Sequence, residues 1–141
     1  NRVMKRDFVE DLKIAKLKVT PARLFILSVF SSQCKPLNAF DILKKIKDKD
    51  INQVTVYRTL NLLEKVGILN RVDLRKDAVF YELASHHHHH IICTSCGKIE
   101  EFEQCKIKEL ESSIIKRSTK FETISGHSLE FFGLCNLCFN S

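Results

Sequence analysis

Two cysteine pairs, Cys93-x2-Cys96 and Cys135-x2-Cys138, constrain this chain more than any other feature. Each CxxC turn offers two sulfurs at a bite that suits one metal ion, and four thiolates close a tetrahedral shell around Zn2+. Gly97, directly after Cys96, permits the tight turn of a metal-binding knuckle. Pairing the knuckles would clip the end of the chain to the first strand of its C-terminal half. A closed four-sulfur site leaves no open position for chemistry, so its role would be structural. A redox CxxC or two unrelated thiol pairs are the other readings, and two pairs at this spacing in 141 residues favour zinc. Cys34 and Cys105 fall outside both pairs; most such cysteines are small buried hydrophobes.

Charge divides the chain in the same way. Residues 1–84 carry 17 Lys/Arg against 10 Asp/Glu, a net of +7, while residues 85–141 carry 6 against 7, a net of −1. All six histidines and five of the six cysteines lie in the second part. A basic module next to a ligand-rich module points to a polyanionic partner for the first, against the plainer alternative of a solvated basic face. The first residues are polar and charged (Arg2, Lys5, Arg6, Asp7), and no apolar run approaches the ~20 residues of a membrane span. A cytoplasmic protein with no membrane partner is therefore expected, and in that compartment six cysteines are not a disulfide framework.

Periodicity places helices over 4–17, 21–32, 39–49 and 52–66. The first carries Phe8, Leu12, Ile14 and Ala15 inward; Thr20-Pro21, Asn38 and Asn52 are the caps of the next three, and Gly67 ends the last. In 52–66, Val56, Leu60 and Leu63 form the buried stripe, and Val54, Arg58, Asn61 and Lys65 the opposite face. Two β-like runs follow, 68–73 and 78–83, joined by the charged turn LRKD. Helices followed by a hairpin are the order of a winged helix-turn-helix. Arg58 and Asn61 suit guanine and adenine edges, Lys65 suits phosphate, and Thr55 and Tyr57 add hydroxyls. Lys16, Lys18 and Arg23 would hold flanking phosphates. In the second half, 86–93 and 98–102 read as strands around the knuckle, 106–118 as a helix with Ile107, Leu110, Ile114 and Ile115 on one side, and 121–135 as one or two strands.

The run His86–His90 lies inside the chain and leads directly into the first knuckle, which is no place for a cloning remnant. On a strand, His88 and His90 share one face and His87 and His89 the other. Each pair is a bidentate clamp, and imidazole accepts Fe2+, Zn2+, Mn2+, Co2+ or Ni2+ alike. Glu82, Glu101 and His127 lie on predicted neighbouring strands as further donors.

In this order, KLKVTPAR, TVYRTLNLLEKVGIL, HHHHHIICTSCGKIEEF and HSLEFFGLCNLC resemble motifs of the ferric uptake regulator family of bacterial metal-dependent repressors. The resemblance implies an α+β fold, with a winged-helix DNA-binding domain (1–84) and a small α/β dimerisation domain (85–141). It implies a homodimer on palindromic, AT-rich double-stranded operators when loaded with metal. Residue by residue, it assigns Cys93, Cys96, Cys135 and Cys138 to structural Zn2+, and Glu82, His88, His90 and Glu101 to a regulatory site. It assigns His87, His89 and His127 to a further site, Lys18 to the minor groove, and Tyr57 and Arg58 to the recognition helix. There are three departures. Residues 1–85 lack the loop histidine that many members place before the third helix, and Cys34 is the candidate substitute. His89 stands where many members have aspartate. The helix glutamate of the further site aligns with Lys108, and a one-residue shift restores Glu109.

Two carboxylates with two imidazoles make a hard set, so Fe2+ is the first regulatory metal and Zn2+ the second, with Mn2+ compatible. A zinc- or peroxide-sensing member is the alternative within the family. A metal buffer without specific DNA binding is the alternative outside it. No nucleophile, oxyanion loop or substrate motif supports an enzyme, and no small organic substrate is expected. His86 and Cys105 receive no role.

Overall fold

The N-terminal helices begin where side chains satisfy their first amides. The computed structural model describes residues 6–33, 35–84, 88–103 and 106–141. Asp7 accepts from the Glu10 amide at the start of α1 (Phe8–Ile14). Thr20 accepts from the Arg23 amide at the start of α2 (Pro21–Ser31), with Pro21 in the first turn, where a missing N–H costs nothing. Asn38 and Asp41 form a reciprocal capping box on α3 (Ala39–Lys45). Asn52 accepts from Thr55 at the start of α4 (Gln53–Lys65). Beyond α4, Gly67 turns the chain at φ +80°, a left-handed conformation that a Cβ would strain.

The chain forms two compact units, Asn1–Ser85 and His86–Ser141. The core of the first gathers Leu12, Ile26, Leu27, Ile42, Ile46 and the α4 stripe Val56, Leu60 and Leu63. The opposite side of α4 exposes Val54, Tyr57, Arg58, Asn61 and Lys65. Two strands follow, β2 (Leu69–Val72) and β3 (Phe80–Leu83), antiparallel, with Arg71 opposite Tyr81 and Asn70 opposite Glu82. A two-residue strand, β1 (Leu37–Asn38), pairs with the other side of β3. This is a winged helix-turn-helix.

The second unit holds β4 (His89–Cys93), β5 (Ile99–Phe102), α5 (Ile107–Arg117), β6 (Glu130–Gly133) and a short α6 (Asn136–Phe139). The sheet order is β5-β4-β6, with β4 antiparallel to β5 and parallel to β6. A parallel pair needs a crossover, and the segment containing α5 supplies it.

Four details depart from the sequence expectations. The loop CKPLN contains β1, whose partner β3 lies far along the chain. Helix α3 stops at Lys45, and Lys47–Lys49 lie outside it. Ile14 is 72% exposed rather than inward, because two residues on from the buried Leu12 it lies about 200° round α1, opposite the face shared by Phe8, Leu12 and Ala15. Only Glu130–Gly133 of 121–135 is a strand; Ser118 Oγ accepts from the amides of Lys120 and Phe121, which bends the chain away from extended pairing. No described helix is long and apolar enough to cross a membrane.

Leu60 is 1% exposed at the centre of the first core. Leu60→Ala is expected to lower the unfolding free energy of the N-terminal unit by about 2–5 kcal/mol. Urea denaturation followed by the helical signal measures the shift, with bound zinc unchanged in the same preparations.

Candidate metal centres and nucleic-acid interface

Parallel pairing of β4 with β6 sets Cys93 opposite Gly133, so both CxxC turns leave the sheet at one end. The first knuckle is tied by Gly97 N–H donating to the Cys93 carbonyl at 2.9 Å and Cys93 N–H to the Lys98 carbonyl at 2.8 Å. Gly97 takes φ +76°. The second begins at Cys135, directly before α6, and continues to Cys138 inside it. The four sulfurs lie within 4.8 Å of one another, and those of Cys96 and Cys135 are 3.7 Å apart. A tetrahedron of thiolates about 2.3 Å from zinc has edges of about 3.8 Å. The spacing therefore fits four ligands on one ion and is far too long for a disulfide. The backbone favours the charged form that a metal needs at Cys93 and Cys135, while at Cys138 a hydrogen bond with Ser95 is outweighed by the neighbouring sulfurs of Cys135 and Cys96, which push that thiol up to about 11. The amides of Cys96 and Cys135 facing its sulfur lower the Cys93 pKa to about 6, and the Cys138 amide lowers that of Cys135. Four soft anionic donors in this arrangement fit Zn2+.

Further back along β4 the histidines alternate. His90 is 1% exposed and pairs across the sheet with Glu101 on β5. The donor atoms of His88, His90 and Glu101 lie within 4.8 Å of one another, and the two imidazoles meet edge to face at 5.0 Å between centroids. Two nitrogens and a carboxylate oxygen at this spacing can hold a divalent cation. Glu82, expected to join them, is half-buried on β3 of the N-terminal unit, opposite Asn70.

His89 points to the other face. Its Nδ1 lies 3.1 Å from the Leu129 carbonyl, which accepts the proton from that nitrogen and leaves the lone pair on Nε2. The ring of His127 is 5.3 Å away, and His127 Nδ1 lies 2.8 Å from Glu111 Oε1. The helix glutamate that meets His127 is thus Glu111, whereas Glu109 is exposed and Lys108 is not a donor. Helical spacing explains the difference: Glu111 is four residues after Ile107 and borders the apolar stripe, while Glu109 lies on the far side. Cys34, His86, His87 and Cys105 lie outside the described residues.

On the N-terminal unit, Lys18, Tyr57, Arg58 and Lys65 are exposed, and Thr55 is half-buried. Arg23 is half-buried, and its guanidinium donates to the Lys18 carbonyl, which ties it to the loop that carries Lys18 and leaves its charge intact. Asn61 accepts a hydrogen bond from the Tyr81 hydroxyl at 3.4 Å. Burial pushes the Tyr81 phenol above its ordinary range, so the hydroxyl remains a donor. One turn on, Glu64 pairs with Arg71 at 3.0 Å. Neither Tyr81 nor Arg71 was singled out from sequence, because their partners are distant in the chain.

The sequence pattern described as "Ferric uptake regulator family" matches residues 14–132. A ferric uptake regulation protein of Vibrio parahaemolyticus is 37% identical over 134 residues, covering 92% of this chain and 89% of that protein. The crystal structure of the Vibrio cholerae ferric uptake regulator is similar at a TM-score of 0.70 and 36% identity, covering 92% of this chain and 100% of the other. That of the Helicobacter pylori ferric uptake regulator, described as revealing three functional metal binding sites, is similar at 0.73 and 32% identity, covering 94% and 89%.

Cys96→Ser removes one corner of the sulfur tetrahedron. The variant is expected to lose its tightly held zinc on dialysis against a chelator that leaves the wild type loaded, as read by elemental analysis. A full zinc complement in the variant would show that the four sulfurs do not share an ion.

Proposed function

This chain belongs to the ferric uptake regulator family of metal-responsive transcriptional regulators, and on that premise we propose that it is a homodimeric, cytoplasmic, iron-responsive repressor of metal homeostasis genes. The observation that carries the reading is the convergence of His88, His90 and Glu101 on one face of the strand that ends in the zinc knuckle. Glu82 is proposed as the fourth ligand. Five residues of chain separate it from His88, a span of about 20 Å when extended. Two carboxylates beside two imidazoles make a harder set than a thiolate-bearing one, which supports proposing Fe2+ first and Zn2+ second.

The bound cation supplies the positive charge on which these donors converge. The residues supply the switch. His88, His90 and Glu101 stand on the C-terminal unit, and Glu82 on the N-terminal one, so sharing an ion favours one arrangement of the two. In a dimer that arrangement sets the spacing of the two α4 helices to successive major-groove faces of a palindromic operator. A useful switch needs only a differential affinity of a few kcal/mol between the two arrangements. Tyr57 and Arg58 are proposed to contact bases, and Lys18 and Lys65 the flanking backbone. The apolar side chains that the C-terminal unit leaves exposed, Leu110 and Ile114 on α5 and Phe131 on β6, suit a second copy of the chain.

Replacing His88 and His90 together by alanine is expected to preserve helical content and structural zinc while abolishing metal-dependent retardation of operator DNA. A double variant that binds the operator with the wild-type metal dependence would place sensing elsewhere. The metal is tested on zinc-loaded protein under anaerobic conditions. DNA binding that appears on adding Fe2+ and not on adding further Zn2+ supports iron, and the reverse order overturns that choice.

A further inference from the structure

The outward side of α4 is not one surface. Tyr57, Asn61 and Glu64 follow one another at i, i+4 and i+7, and Val54, Arg58 and Lys65 form the adjacent row. The two rows differ in what they meet. Asn61 takes the Tyr81 hydroxyl at 3.4 Å, and Glu64 takes the Arg71 guanidinium at 3.0 Å. Arg71 and Tyr81 are themselves directly opposite across β2 and β3, with the guanidinium carbon 6.0 Å from the phenol ring centre. A cross-strand pair is thus fastened to two residues one turn apart on the helix. Arg58 and Lys65 lie exposed beside it.

We propose that Asn61, Glu64, Arg71 and Tyr81 are positioning residues: together they clamp the β2–β3 hairpin to α4, and none of them reads a base or binds a phosphate. Two physical considerations support this. The amide oxygen of Asn61 is the acceptor half of the bidentate contact that asparagine makes with adenine, and here it is engaged by a hydroxyl whose ring is 5% exposed. Glu64 would repel phosphate from an otherwise cationic helix, and Arg71, held in its charged form by the pair, offsets that repulsion. An exposed ion pair contributes little to stability, so the consequence of the clamp is geometric: it sets the angle between hairpin and helix.

The inference rests on the proposed DNA-binding function. Full-length metal-loaded protein is used to enrich a duplex from a randomised pool. Affinities are then measured for that duplex and for its single-base variants across a range of salt concentrations. Asn61→Ala and Tyr81→Phe are each expected to weaken binding roughly two- to tenfold, by the same factor on every duplex. Their combination should be no weaker than the weaker single variant, because both break one contact. Arg71→Met should keep the wild-type dependence of log affinity on log salt. Thermal melts matching the wild type show that each variant folds. The clamp is overturned if Asn61→Ala erases preference at one base position while Tyr81→Phe binds as the wild type. It is also overturned if both variants bind as the wild type, or if Arg71→Met lowers the salt slope by about 0.9 per contact, the mark of a lost phosphate ligand. A wild-type protein that enriches no duplex overturns the DNA-binding function and the clamp with it, an outcome distinct from each of these.

Discussion

The parallel pairing of β4 with β6 is the contact on which the C-terminal half of the chain depends. Parallel neighbours cannot be joined by a tight turn, so a long crossover must be ordered before the pair forms. The reward inside the unit is small. Among its described residues only His89, His90, Ile92 and Cys93 are buried, two of them imidazoles. A unit of this size with so little apolar interior is marginal without a further tether. Four sulfurs at the shared end of β4 and β6 provide one, because binding energy at a site absent from the unfolded chain is folding energy.

Once β4 is held, its two-residue period distributes function. His88 and His90 go to one face and meet Glu101; His89 goes to the other and meets the Leu129 carbonyl and the ring of His127. A one-residue slip of β4 against β5 would exchange the two sets, so the register that zinc secures at Cys93 also decides which imidazoles face Glu101. The structural site and the candidate sensing site are therefore coupled through five residues of one strand.

What could be read from the sequence was local. The caps Thr20, Asn38 and Asn52 carry their own mechanism, since a side chain three residues upstream is enough to satisfy an amide. The inward stripe of α4 and the two knuckles follow from spacing alone. Contacts that join distant segments were not legible. Glu111 rather than Glu109 meets His127 because the rotation of α5 is set by where its crossover lands, which no local pattern encodes. The contact of Asn61 with Tyr81, twenty residues away on a strand, had no local signal either. Ile14 is a different case: its exposure was legible, since two residues on from Leu12 it falls on the opposite side of α1.

Gly67 joins α4 to the hairpin, and it does so by handedness rather than by room. A side chain placed there would meet no atom within 4 Å, yet φ is +80°. The space is open to any residue and the conformation to few, so the obstacle to substitution is chiral. A D-alanine would occupy the site at ease where L-alanine would not. The direction in which the hairpin leaves α4 is in this sense partly a stereochemical quantity, stored in one achiral residue as well as in the contacts that tie helix to hairpin.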